Sequence, residues 1–243
     1  VTHFKELDAL KSEFVSTVSH DLRSPLTLMR GYATMLEMVG QLNEQQQTYV
    51  TKIITGVESM ARLVNNLLDL GRIDAGVGLQ VDQIAVMDVV EHVTSTLQMQ
   101  ADQKEIRLGV EVDRNLPQLI DADRALLQQA VYNLVENAIK YTPNGGNVIV
   151  RLKARPDGIL FEVQDTGIGI PPADRARLFE KFFRGTNREA HKQRGSGLGL
   201  AIVRSLAARH GGRVWVESQV GAGSVFSLFI PYKLPAEKKK ERK

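Results

Sequence analysis

The 243-residue chain has no cysteine, which excludes disulfide staples and thiolate metal sites and is compatible with a reducing compartment. It also lacks any apolar run approaching the roughly 18 residues of a membrane span, and no signal peptide opens it. Because the first residue is Val1 rather than methionine, the chain is expected to be a fragment of a longer protein. Its expected location is cytoplasmic, with any membrane attachment made through regions not included in it. Excess charge of one sign is nearly missing as well. The formal net charge is +3, and the segment Glu237 to Lys243, with five basic and two acidic residues, carries all of it. Residues 234–243 therefore read as a disordered basic tail, and no nucleic-acid partner is expected.

What is present begins with two apolar stripes. From Phe4 through Leu7, Leu10, Phe14, Val18, Leu22, Leu26, Met29, Tyr32 and Leu36 to Val39, apolar residues recur at steps of three or four. The mean step of about 3.5 is that of a coiled-coil seam on one long helix. Gly40 to Asn43 breaks the pattern, and Tyr49, Ile53, Val57, Met60, Val64, Leu67 and Leu70 mark a second helix. A lone hairpin leaves half of each stripe in water, so a homodimeric four-helix bundle is the expected way to bury both. Asp74 to Gly78 closes this region, giving a first domain over residues 1–76.

Residues 79–233 form the second expected domain, where the pattern turns mixed. Helices are predicted over Asp88 to Gln103, Ala125 to Tyr141 and Leu200 to His210, with Asp121 and Asp123 as caps of the middle one. Ile106 to Val112 reads as a strand. Asn147 to Leu152 with Ile159 to Val163, and Arg213 to Glu217 with Val225 to Ile230, read as hairpins turning at Asp157-Gly158 and Gly221-Ala-Gly223. Helices on one face of such a sheet make an α+β sandwich.

Four short patterns carry chemistry. At 100° per residue, His20 lies roughly opposite the Val18–Leu22 seam and should face solvent. Its neutral ring nitrogen is a competent nucleophile toward phosphorus, and the adjacent Asp21 carboxylate can orient the tautomer. Pro25 removes a backbone hydrogen bond and bends the helix there, while Ser24 shares the face of His20. Asn133 and Asn137 lie one helical turn apart and offer amide oxygens suited to a hard cation with phosphate oxygens. Asp165 ends an apolar strand and precedes Gly167 and Gly169, a tight turn that can pass beneath a flat base while the carboxylate accepts from an exocyclic amine. Gly195, Gly197 and Gly199 open a helix whose N-terminal amides suit phosphate. The polar stretch with Arg188, Lys192 and Arg194 between Gly185 and Gly195 reads as a mobile lid.

Taken in this order, Ser-His20-Asp21-Leu-Arg-Ser24-Pro25, Asn133-Leu-Val-Glu-Asn137-Ala-Ile-Lys140, Asp165-Thr-Gly167-Ile-Gly169 and Gly195-Ser-Gly197-Leu-Gly199 resemble a sensor histidine kinase over nearly the whole chain. The resemblance implies a dimerisation and phosphoacceptor domain followed by an ATP-binding domain of the Bergerat type. It implies ATP and Mg²⁺, with Asn137 as metal ligand, Asn133 supporting it, Lys140 at phosphate and Tyr141 by the nucleoside. Asp165, Gly167, Gly169, Ile170, Gly195, Gly197, Leu198 and Gly199 complete the nucleotide site. His20, Asp21, Ser24 and Arg184 are the implied catalytic set, with Ser24 placing a water for dephosphorylation and Arg184 meeting the transferring phosphoryl group. Leu178, Phe179, Phe182 and Phe183 look like the hydrophobic box that anchors the lid, although as bare sequence they also fit an ordinary core. The implied partner is the receiver domain of a response regulator. Gyrases, mismatch-repair proteins and a heat-shock chaperone share this nucleotide fold and hydrolyse ATP with a glutamate at the position of Asn133. A hydrolytic ATPase and a non-catalytic nucleotide-binding scaffold therefore stand as alternatives.

Overall fold

The computed structural model describes residues 24–74, 79–187 and 195–233. Two compact units divide the chain, Val1–Val77 and Gly78–Lys243.

The first unit is a helical hairpin. Helix α1 runs over residues 24–39 within the described part, and α2 over Glu44–Asp74. Asn43 starts α2 with a reciprocal cap: its Oδ1 accepts from Gln46 N at 2.8 Å, and its own N–H donates to Gln46 Oε1 at 2.9 Å. Each apolar stripe then splits into two rows. Leu26 of α1 is buried against Val57 and Val64 of α2, with Ala61 packed beside them. Met29, Tyr32 and Leu36 of α1, and Tyr49, Ile53, Met60 and Leu67 of α2, stay 40% or more exposed. One row closes the hairpin, and the other is left in water, as expected for half of such a seam. Among the described residues, no helix is long and apolar enough to cross a membrane.

The second unit is a layer of helices on a mixed five-stranded sheet. Its elements are β1 (Asp82–Ala85), α3 (Val86–Gln103), β2 (Arg107–Val112), β3 (Leu119–Ala122), α4 (Arg124–Tyr141), β4 (Asn147–Arg155), β5 (Gly158–Asp165), α5 (Pro172–Arg175), α6 (Gly199–Arg209), β6 (Arg213–Gln219) and β7 (Gly223–Pro231). The large sheet has the order β2-β4-β5-β7-β6, with β2 parallel to β4 and the other pairs antiparallel. Val148, Val150 and Leu152 of β4 pair in register with Asp165, Val163 and Phe161 of β5, and this row is buried. The alternate row carries charge, with ion pairs Arg151–Glu111 and Lys153–Glu162 at 2.6 Å. Period-two alternation thus assigns one face to the helices α3, α4 and α6 and the other to water. It also puts Asp165 at the end of the buried row, which places its carboxylate beneath the helix layer.

One expectation needs correction. Asp121 does not cap α4: it lies in β3, opposite Gln83 of β1, in a two-stranded sheet that the sequence reading missed. Four-residue strands are too short to show a period, and Leu119-Ile-Asp-Ala has no clear alternation. Asp123 is the cap, accepting from Leu126 N at 3.1 Å.

Asp123 also receives Gln80 N on its Oδ2 at 2.9 Å, and its own N–H donates to Nε2 of His210 at 3.1 Å. His210 is buried, and its Nδ1 bonds to the Leu206 carbonyl at 2.9 Å. This pattern requires the neutral ring, and burial lowers the pKa below the ordinary 6.5. The unfolded chain therefore binds the proton more readily. The stabilising effect of neutral His210 is full above pH 6.5 and is lost as pH falls below that value. Denaturation midpoints measured at about pH 7.5 and about pH 5.5 should drop toward acid, and His210→Phe should flatten the drop. An unchanged slope in the variant would remove His210 as its source.

Candidate functional site

The site assembles on α4. Asn133, Asn137 and Lys140 stand at i, i+4 and i+7, within about 60° of one another around the helix. Asn133 is 8% exposed, and its Nδ2 is buried with no hydrogen-bond partner among the described residues. Such an orphan is costly unless something else fills it. The glycine loop before α6 lies along this row. A Cβ on Gly199 would sit 3.4 Å from Asn133 Oδ1, and one on Gly195 would sit 2.5 Å from Lys140 Nζ. The loop thus runs from Lys140 at Gly195 back to Asn133 at Gly199. Leu198 is fully buried and pins it, with its N–H on Ser196 Oγ at 3.3 Å.

The second wall is the turn after β5. Asp165 is 4% exposed, and its Oδ1 accepts from Gly167 N at 2.8 Å and from Ser224 N at 3.2 Å. Both bonds fall on one oxygen, and Oδ2 has no partner among the described residues. Burial pushes this carboxyl up to about 6, opposed by those two bonds. Gly169 adopts φ 67°, and a Cβ there would meet the Gln219 carbonyl at 2.0 Å, so the turn can close only with glycine. Ile168 N donates to the Tyr141 carbonyl at 3.2 Å, and Ile170 N to Ser218 Oγ at 2.9 Å. The turn is therefore sewn between the end of α4 and the β6–β7 hairpin. Tyr141 carries the Lys140 ammonium 5.0 Å from its ring centroid, and burial raises its phenol pKa while the nearby Arg184 charge opposes that rise.

Beyond the turn, Asp174 is buried and accepts from Thr186 N at 2.7 Å and from Thr186 Oγ1 at 3.0 Å. That bond holds the segment entering residues 188–194. On the other side, Gly197 at φ 71° accepts on its carbonyl from Phe182 N at 3.0 Å. Phe182 itself has φ 63° and is 63% exposed, and Leu178, Phe179 and Phe183 are only partly buried. Phe182 is therefore not a core residue, while Leu178, Phe179 and Phe183 stand half-buried beside it.

Among the expected site residues, the structure brings Gly195 to Lys140, Gly199 to Asn133, Gly167 to Asp165 and Tyr141, and the charge of Arg184 near Tyr141, while Asn137 lies on the α4 face of Asn133 and Lys140, and Gly169, Ile170, Gly197 and Leu198 shape the two glycine turns. Ser24 lies exposed on α1 in the other unit. His20, Asp21, Arg188, Lys192 and Arg194 lie outside the described residues. Sequence reasoning missed Ser218 and Ser224, whose contacts depend on strand register, and Asp174, which stands in no motif.

Among the described residues, no group of three or more His, Asp or Glu could hold a metal by itself. The donors at the site are amide oxygens and an ammonium, with an unpaired carboxylate oxygen at one end and an unpaired amide nitrogen at the other. This set fits a Mg²⁺-nucleotide, in which phosphate oxygens complete the metal's shell.

Residues 10–76 match the family of the His Kinase A (phospho-acceptor) domain, and residues 122–234 match the histidine kinase-, DNA gyrase B- and HSP90-like ATPases. The circadian input-output histidine kinase CikA of Synechococcus elongatus is 39% identical over 228 residues, covering 92% of this chain and 30% of that protein. ShkA, solved in complex with AMPPNP, aligns with a TM-score of 0.76 at 33% identity, over 92% of this chain and 46% of that one. The mycobacterial sensor histidine kinase MprB aligns at 30% identity and TM-score 0.55, over 64% of this chain and 99% of that one. This chain spans less than a third of CikA and less than half of ShkA. With both family domains matched in order on a helical hairpin and an α+β sandwich, the chain belongs to the sensor histidine kinases.

Proposed function

We propose that this chain transfers the γ-phosphoryl group of ATP to His20 and then to an aspartate on the receiver domain of a response regulator. The observation that carries this reading is the buried Asn133 Nδ2 that has no partner among the described residues, in a side chain that the Gly195–Gly199 loop approaches at Gly199, together with an Asp165 carboxylate held through Oδ1 alone. Asp165 Oδ2 accepts from the exocyclic amine of adenine, an amine that guanine lacks at that position. Tyr141 lies by the nucleoside. Lys140 and the main-chain N–H groups of Gly195, Gly197, Leu198 and Gly199 bind phosphate. Asn137 ligates Mg²⁺ through its amide oxygen, and Asn133 supports it. Bound with the nucleotide, Mg²⁺ offsets charge on the phosphate oxygens.

A neutral ring nitrogen of His20 attacks the γ-phosphorus in line as the bond to the β–γ bridging oxygen breaks, leaving ADP. Asp21 holds the ring tautomer and stabilises positive charge growing on it. Arg184 meets charge on the transferring group. An amide at position 133 cannot take a proton from water, so the site favours a delivered nucleophile over hydrolysis. Ser24, one turn beyond His20, places a water for dephosphorylation of the phosphohistidine product or its acceptor. Consumption of ATP and partnership with a regulator place this part of the protein in the cytoplasm. Incubation with γ-labelled ATP and Mg²⁺, followed by addition of purified receiver domains, tests the scheme. Acid-labile label should appear on the chain and move to one receiver. Steady phosphate release without bound label would favour the hydrolase instead.

The same reading makes the chain a homodimer. The exposed row of Met29, Tyr32, Leu36, Tyr49, Ile53, Met60 and Leu67 supports it, since a second hairpin buries that row in a four-helix bundle. Sedimentation at tens of micromolar, roughly the range of a weakly associating interface, should give a dimer. A monomer there would count against the bundle.

A further inference from the structure

A helix leaves its last four carbonyls without partners inside the helix, and in α4 these belong to Ala138, Ile139, Lys140 and Tyr141. All four are satisfied from elsewhere. The Ala138 carbonyl accepts from Thr142 N at 3.1 Å and Thr142 Oγ1 at 2.6 Å, and that of Tyr141 accepts from Ile168 N at 3.2 Å. The middle two depend on one side chain from the end of α3. Lys104 Nζ donates to Ile139 O at 2.8 Å, Lys140 O at 3.0 Å and Thr142 O at 2.5 Å, so its three donors are all used.

Lys104 is aimed there by the way α3 ends. Ile106 N donates to Ala101 O and Glu105 N to Asp102 O, both at 2.9 Å, a Schellman pair in which Glu105 takes φ 55° where glycine is usual. The Lys104 carbonyl accepts from Gly145 N at 2.9 Å, so the α3–β2 turn clips the α4–β4 loop through both side chain and backbone. The ammonium also opposes the negative end of the α4 dipole. Burial lowers its pKa below the ordinary lysine value.

We infer that Lys104, which belongs to no nucleotide motif, is a positioning residue for the nucleotide site, holding the last turn of α4 so that Lys140 stays beside Gly195 and the Tyr141 carbonyl stays on Ile168. The inference rests on the reading of the site as an ATP site. Without the ammonium, the carbonyls of Ile139, Lys140 and Thr142 lose this partner, and the turn tightens toward i→i+3 bonding. That change displaces Lys140 at the phosphate end and releases the Asp165 turn at the adenine end. Both contacts are made to bound nucleotide before and during transfer, so the loss falls on KM rather than kcat.

The test uses the full chain with Mg²⁺ and the non-hydrolysable AMPPNP, titrated by calorimetry, alongside autophosphorylation kinetics. Lys104→Met should weaken Kd by about tenfold and raise KM for ATP similarly, with kcat within about threefold, whereas Lys104→Arg should restore Kd to within about threefold. Amide exchange at Ile168 should quicken in Lys104→Met, while that at Leu126, at the capped start of α4, should not change. Unchanged Kd, a fall in kcat alone, or protection lost equally at Leu126 and Ile168 would each overturn the inference, the last by showing a general loss of stability. If Lys104→Met does not fold, Lys104→Gln, which keeps an uncharged donor, is read by the same criteria. A wild-type chain that fails to bind AMPPNP would overturn the ATP-site reading and this inference with it. Wild-type binding with an unaffected Lys104→Met would overturn this inference alone.

Discussion

His20→Gln should abolish acid-labile labelling from γ-labelled ATP, by roughly three orders of magnitude or more, because glutamine has no nucleophilic nitrogen to take the phosphoryl group. AMPPNP affinity and dimerisation should persist, since His20 is in neither the apolar stripe nor the nucleotide motifs. The same variant separates the three readings of the site. If the amide at Asn133 is what prevents hydrolysis, the variant should release almost no phosphate, because its nucleophile is gone and no base activates water. Brisk phosphate release that depends on Mg²⁺ and is lost in Asp165→Ala would make the protein a hydrolytic ATPase. Wild-type chain that binds nucleotide yet neither labels nor releases phosphate would make it a scaffold. Label persisting in His20→Gln would displace the phosphoryl group to another acceptor.

Asp165→Ala should weaken nucleotide binding by about a hundredfold or more, close to 3 kcal/mol. The substitution removes the acceptor for the adenine amine, and it leaves Gly167 N and Ser224 N without the oxygen that holds the turn. Asp165→Asn should not rescue it fully, since an amide that still accepts from those two N–H groups turns its own donors toward the adenine amine. The pH dependence follows from the same atom. In the empty domain the carboxyl is raised from 3.8 to about 6, so the folded state holds the proton more tightly than the unfolded chain. Ionisation therefore lowers the stability of the empty domain as pH rises from 3.8 through about 6. Nucleotide binding runs the other way, because the adenine amine needs the ionised acceptor. Kd should be constant near neutrality and weaken as pH falls below about 6, by up to about tenfold per pH unit. Calorimetric titrations giving one Kd on both sides of that value would remove the Asp165 carboxylate from adenine recognition.

Much of this architecture was legible in the chain because it is written at short range. The mean step of about 3.5 along Leu26 to Leu36 and Tyr49 to Leu67 is local geometry, and it specified the hairpin before any packing was known. Asp157-Gly158 and Gly221-Ala-Gly223 announced their turns through backbone freedom. That Asp165 ends an apolar strand was legible too, but which row of that strand is buried, and with it the burial of Asp165, was not, because Ile159, Leu160 and Phe161 follow one another without alternation. The little β1–β3 sheet was not legible, because strands of four residues hold together only through each other. For the same reason Asp121, whose partner Gln83 lies on another strand, was misread as a cap.

The order and chemical type of the site residues were thus determined by the sequence itself: two amides one turn apart, a carboxylate before a glycine turn, and a glycine loop before a helix. Their relation to each other was decided only by the fold. Which oxygen of Asp165 is held and which is open depends on Ser224, 59 residues away. That Phe182 stands exposed, held through its N–H by Gly197, depends on a loop crossing. That Lys104 closes the end of α4 depends on carbonyls 35 to 38 residues further along. Helical and strand periods arise from dihedral angles that each residue sets with its neighbours, so a reader of the chain can find them. Hydrogen bonds across such distances exist only once the sheet register and the helix layer bring the partners together, and no local pattern encodes them.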